Sequence, residues 1–121
     1  MDNITRILDF RNLKENWNGY DAKNFDDKTI IKAIDISRKF INCQLPEIFP
    51  TARGTVQFEW KKKNTGYLEF EVGSEYVAML EMDGEDNVIV DGYLFQGEIE
   101  SINYIVKCVL NKWDKSENRR G

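Results

Sequence analysis

The side chains whose types and spacing could do chemistry are carboxylates. Glu59, Glu69 and Glu71 stand within residues 48–72, where period-two alternation marks two strands. Val56, Phe58 and Trp60 alternate with Gln57, Glu59 and Lys61, and Leu68, Phe70 and Val72 alternate with Tyr67, Glu69 and Glu71. The polar run Lys62-Lys63-Asn64-Thr65-Gly66 between them reads as the connection of an antiparallel hairpin with one apolar and one polar face. If the apolar sets share a face and Trp60 lies opposite Leu68, parity sets Glu59 against Glu69 and Gln57 against Glu71. Like charges directly opposite each other disfavour pairing, so this row asks for a reason beyond folding.

Clustered carboxylates can hold Mg²⁺ or Mn²⁺ for phosphoryl or hydrolytic work, and Glu81 on the following strand is a fourth candidate. Two other readings compete with a metal site. One is a solvated face paired with Lys61, Arg53 or helix lysines; the other is a surface that binds a partner. Gln57, Tyr67, Val77 and Met79 beside the glutamates make a mixed acidic and apolar face, which suits protein recognition better than catalysis.

The rest of the chain offers little reactive chemistry. It has no histidine, which removes the commonest general base, the Ser-His and Cys-His pairs and imidazole metal ligands. Its glycines are scattered and form neither GxxxxGK nor GxGxxG. The acidic turn Asp83-Gly84-Glu85-Asp86-Asn87 lacks the helix frame and terminal Glu of a calcium loop and reads as a hairpin turn. No catalytic residue, metal ligand or cofactor is assigned. A second concentration of interest is Asn16-Trp17-Asn18-Gly19-Tyr20-Asp21. Trp17 and Tyr20 flanking a turn could be an exposed anchor pair; the plainer reading packs Trp17 at the end of a core stripe with Tyr20 beside it.

The elements that must position these groups follow from hydrophobic spacing. Ile4, Ile7, Phe10, Leu13 and Trp17 predict a helix over 4–17, with Asp2 or Asn3 as N-cap and Gly19 just past its end. Phe25 lies in the loop that follows, placed to fill a gap between helices. Asp26 or Asp27 caps a second helix running to about Asn42, stopped before Pro46. Residues 48–51 are extended, an edge strand because of Pro50. After the hairpin come strands over 76–82 and 87–95, both mostly apolar on two faces, with Gly92 as a candidate bulge. A closing helix over 98–115 carries Ile99, Ile102, Val106, Val109, Leu110 and Trp113 on one stripe. The order ααβ(β)βββα, with local hairpins and no parallel crossovers, predicts an α+β domain over residues 1–115. Its antiparallel sheet of four to five strands has two N-terminal helices and one C-terminal helix on one face. Residues 116–121 are expected to form a flexible basic tail.

Length and charge narrow the class. A chain of 121 residues with 41% hydrophobic content has material for one core, and no apolar run reaches membrane-spanning length. The N-terminal segment carries charges throughout and has no signal-peptide core, so a cytoplasmic location is the expectation. Cys43 and Cys108 are isolated and are expected to be reduced rather than paired. The net charge of −4 is unevenly spread. Residues 1–50 balance, residues 51–100 hold four basic against eleven acidic side chains (−7), and residues 101–121 hold five against two (+3). Direct nucleic-acid binding would want a basic stripe, and the strand-rich part is the reverse.

An ordered run of motifs carries a resemblance. Asn16-Trp17-Asn18-Gly19-Tyr20-Asp21-Ala22, Pro46-Glu47-Ile48-Phe49-Pro50-Thr51, Gly54 with Val56-Gln57-Phe58-Glu59-Trp60, and Tyr67-Leu68-Glu69-Phe70-Glu71 together resemble a family of small bacterial and phage-borne proteins. The resemblance covers residues 8 to about 72. It implies a fold type and a mobile-element or host-defence setting, and it carries no catalytic residue. It also implies that the turn 17–21, Pro50-Thr51 and the glutamate face belong together.

The expected function is a small non-enzymatic interaction protein. It would regulate or inhibit a larger protein partner, such as a CRISPR effector or another nucleic-acid-handling defence enzyme, through an acidic sheet face that occupies a basic channel. The partner-binding candidates are Gln57, Glu59, Tyr67, Glu69 and Glu71, with Trp17 and Tyr20. The alternatives are a Mg²⁺- or Mn²⁺-dependent enzyme on the same carboxylates, an antitoxin or immunity protein, and a homodimer packed through the strands over 76–82 and 87–95.

Overall fold

The computed structural model describes residues 2–20 and 22–120. Helix α1 spans Asn3–Asp9, with the Asp2 carboxylate accepting from the Thr5 N–H as its N-cap, and a 3₁₀ turn follows at Phe10–Asn12. Helix α2 spans Asp27–Ser37, capped in the same way by Asp26 onto the Thr29 N–H. Five strands follow: β1 Glu47–Pro50, β2 Val56–Lys62, β3 Gly66–Val72, β4 Val77–Asp83 and β5 Val88–Tyr93. They form one antiparallel meander in sequence order. The C-terminal part is α3, Gln96–Glu100, and α4, Ile102–Arg120.

This is the α+β architecture the spacing predicts, with departures at the ends of elements. The first helix stops at Asn12 because Leu13 is extended (φ −76°, ψ 119°), and Asn16 then takes a positive φ of 61°. Leu13 and Trp17 still pack on the core, from a loop instead of a helix. The second helix ends at Ser37. The expected single closing helix is two pieces, because Ser101 (φ −100°, ψ 16°) breaks the regular geometry between them. The bulge of the last strand lies opposite the step between Glu81 and Met82, where Glu81 pairs with Val90 and Met82 with Val88. Ile89, not Gly92, is the extra residue.

All helices cover one face of the sheet. There Ile48, Val56, Phe58, Trp60, Leu68, Phe70, Val72 and Val77 are buried against Ile7, Ile30, Ala33 and Ile36 from the N-terminal helices and Ile102, Val106 and Trp113 from α4. Phe40 and Phe70 stand edge-on to Trp60 at ring separations of 5.0 and 5.9 Å. The Trp60 indole N–H donates to the Gln44 carbonyl at 2.8 Å, which satisfies its polar end inside the core. Phe25 fills the gap beside Phe10 as expected, with ring centroids 5.6 Å apart. Asn103 ties α4 to the segment after α2: its side chain accepts from the Ile41 N–H and donates to the Ile41 carbonyl, both at 3.2 Å. No helix is long and apolar enough to cross a membrane among the described residues.

Candidate interaction face

Registration of β2 on β3 creates the site. Trp60 pairs with Leu68, Glu59 with Glu69 and Gln57 with Glu71, as parity requires. With the apolar partners committed to the helices, every polar partner turns to the uncovered side. β4 continues the rows, since Glu69 pairs with Leu80, Glu71 with Ala78 and Tyr67 with Met82. The apolar companions of the glutamates are therefore Ala78, Leu80 and Met82. Val77 and Met79 point the other way, into the core.

Glu81 also parts company with the row. One residue out of step with Leu80, it lies on the helix-covered face, where it is 3% exposed and accepts a hydrogen bond from Lys112 of α4 at 2.5 Å. It pins α4 to the sheet instead of extending the acidic patch.

Glu71 closes one end of the face. Its Oε2 accepts from Thr55 Oγ1 at 2.6 Å, Arg53 Nε at 2.8 Å and the Tyr76 hydroxyl at 3.2 Å. Burial opposes its charge, but these donors, Arg53 and Thr55 foremost, outweigh it and hold the Glu71 carboxyl below the ordinary range. Arg53, Thr55 and Tyr76 are the residues that sequence reading missed as a group. Only the Arg53–Glu71 charge pairing left a trace there.

Glu59 and Glu69 form the centre. The Tyr67 hydroxyl donates to Glu69 Oε1 at 2.6 Å and lies 3.4 Å from Glu59 Oε2. Gln57 Nε2 donates to Glu59 Oε2 at 3.2 Å, and Lys61 Nζ stands 3.6 Å from Glu59 Oε1. Glu69 has no cation within ion-pair distance among the described residues. Burial first, then the hydrogen bond to Glu69 and the two nearby carboxylates, push the Tyr67 phenol well above its ordinary value, so it remains a donor at any physiological pH. Two carboxylates thus face each other across the strands with one shared hydroxyl between them. Glu47 of β1 adds a third acidic position to the row, opposite Glu59.

The turn after α1 reaches this end of the sheet through the connection before β2. The Lys23 N–H donates to the Ala52 carbonyl at 2.8 Å, and Gly54 (φ +76°) sits so close that a Cβ there would lie 2.7 Å from the Asn24 carbonyl. Arg53 in that connection is the residue that grips Glu71. Within the turn, Trp17 is half-buried and donates its indole N–H to the Lys23 carbonyl at 3.1 Å, whereas Tyr20 is 85% exposed. Of the two aromatic candidates, Tyr20 is the one presented to solvent. Asp21 lies outside the described residues.

Chemically, the face is a patterned acceptor surface. No three carboxylates or cysteines converge in a metal-holding arrangement among the described residues. The acidic turn before β5 is held by its own hydrogen bonds, with Asp83 accepting from the N–H groups of Glu85 at 2.8 Å and Asn87 at 3.0 Å. Both cysteines are free, Cys43 half-buried and Cys108 exposed. Compared with family models, with curated proteins and with solved structures, the chain matches none of them.

Proposed function

We propose that this chain is a small non-enzymatic binding protein that engages a larger protein through the open sheet face. Gln57, Glu59, Tyr67, Glu69 and Glu71 form the contact row, with the exposed Tyr20 of the turn after α1 as a further anchor. The partner we infer is a nucleic-acid-handling enzyme, with a CRISPR effector or a similar defence nuclease as the type, which this chain inhibits or regulates in a phage or mobile-element setting. One observation carries the reading: Glu59 and Glu69 are apposed on an uncovered face, with Tyr67 shared between them and Glu69 lacking a cation among the described residues. Folding alone gains nothing from that pairing. A basic channel built for phosphates would supply the missing cations, and the half of the chain that bears the pair carries −7.

The test is competition. A guide-loaded effector from a host of such elements is mixed with labelled target DNA, and the loss of DNA binding is followed by fluorescence anisotropy as this protein is added. The native chain is expected to displace the DNA, and Glu59→Gln/Glu69→Gln to need at least about tenfold more protein. Glu71 is left intact because it organises Arg53, Thr55 and Tyr76. Equal potency of the double variant and the native chain would remove the acidic-face mechanism.

A further inference from the structure

The two edges of the sheet are built differently. β1 is four residues long, ends on Pro50, which has no N–H to offer, and its Ile48 carbonyl accepts from Arg6 Nε of α1 at 2.8 Å. β5 has none of these devices. No hydrogen bond reaches the backbone of residues 88–93 from the side away from β4 among the described residues. Its first half is apolar and open, with Val88, Ile89 and Val90 59%, 51% and 37% exposed, and Asp91 is its one charged side chain. Val90 lies on the helix side of the sheet, paired with buried Glu81, so its exposure means that the helical layer stops short of β5.

The helical layer is unfinished at the same edge. Lys112 reaches Glu81 beside β5, which fixes that flank of α4 as the one facing the open edge. One and two turns earlier on the same flank stand Cys108 and Tyr104, both exposed, the latter at 71%. Strand and helix therefore leave two adjacent open surfaces, the apolar start of β5 and the Tyr104–Cys108 flank of α4. Lys112, the charged member of the helical stripe, pairs with Glu81 while its side chain stays 54% exposed.

We propose that this edge is the interface of a twofold homodimer in which β5 pairs antiparallel with β5 of a second copy and the two α4 helices pack over the joint. An added peptide strand would satisfy the β5 backbone and leave the Tyr104–Cys108 stripe bare. A second copy supplies both layers at the right height. The stripe is also self-complementary: a twofold axis beside Cys108 sets Tyr104 of one copy over Lys112 of the other, a cation on an aromatic face. Because β1 is blocked and β5 alone is open, pairing closes at two copies and does not propagate. The acidic face lies on the other side of the sheet and stays free, so each dimer would present two of them.

Sedimentation velocity of the native chain is expected to give twice the 14.2 kDa of one chain. Ile89→Lys and Tyr104→Glu place charges at exposed positions of the two layers, and each is expected to weaken association at least about tenfold while the far-ultraviolet circular dichroism stays native. In a Cys43→Ser background, a short bis-maleimide is expected to link two native copies through Cys108. A native chain that stays monomeric up to roughly 1 mM overturns the proposal. So does a dimer indifferent to both folded variants, an open-ended assembly, or the absence of the Cys108 cross-link. The cross-link decides the matter even where a variant fails to fold.

Discussion

Glu81 and Glu71 sit on adjacent central strands, each beside a basic side chain, and their surroundings make them different devices. Glu81 lies under α4 with its side chain 4% exposed and Lys112 as its partner. Glu71 lies on the open face with its side chain 12% exposed and three donors on one oxygen. On the covered side water cannot replace a lost partner, so the ion pair fastens a helix to the sheet at the risk of a buried bare charge. On the open side water can enter, so the same residue type shapes a surface. A carboxylate's part in this molecule is set by the parity of its strand position.

The largest effect that would test this contrast is Lys112→Met, which strands Glu81 without its partner and is expected to destabilise the fold by about 3 kcal/mol. Adding Glu81→Leu should recover most of that loss in denaturant unfolding. A Lys112→Met chain as stable as the native one would show that Glu81 reaches water and that the two faces differ less than their burial implies.

Next in size is Glu71→Gln, expected to cost about 1.5 kcal/mol because the ion pair with Arg53 is lost and the hydrogen bond from Thr55 becomes a neutral one. The pH dependence has a definite sign. A carboxyl held below its ordinary value of 4.5 contributes stability that is complete above that value and lost as pH falls through the lower folded one. Unfolding free energy measured through that acid range should fall less steeply in Glu71→Gln than in the native chain. Matching slopes would mean that Glu71 is not held ionised by the fold.

The smallest effect has the opposite direction. Glu59→Gln or Glu69→Gln relieves a cross-strand repulsion and is expected to raise stability by roughly 0.2–1 kcal/mol, less in high salt. Loss of stability in either variant would show that the pair is held for the fold itself, through Tyr67, and not kept at a cost for binding.

Much of this site is legible in the sequence. Parity across the two alternating runs puts the glutamates on one polar face, and the register with Trp60 opposite Leu68, which sets Glu59 against Glu69, is the one the sheet adopts. The next strand was not legible in this way. Tyr76 to Met82 is apolar at nearly every position, so alternation says nothing about which set faces the helices, and Val77, Met79 and Glu81 were placed on the wrong side. Arg53, Thr55 and Tyr76 were missed for a related reason. They come from two separate connections and meet only because the sheet brings both to the Glu71 end.

By itself, the sequence determined the α+β order, the apolar and polar faces of the hairpin, the capping of both N-terminal helices and the concentration of acidic charge in the strands. Each of these rests on local spacing, which a chain carries wherever it folds. Only the tertiary structure decided that Glu81 belongs to the core, that Glu71 has three donors, and that one sheet edge is closed while the other is open. These depend on which distant segment arrives beside a residue, and no periodicity records that. β1 reads as an edge because of Pro50; β5 proves to be the open one because α4 stops short of covering Val90.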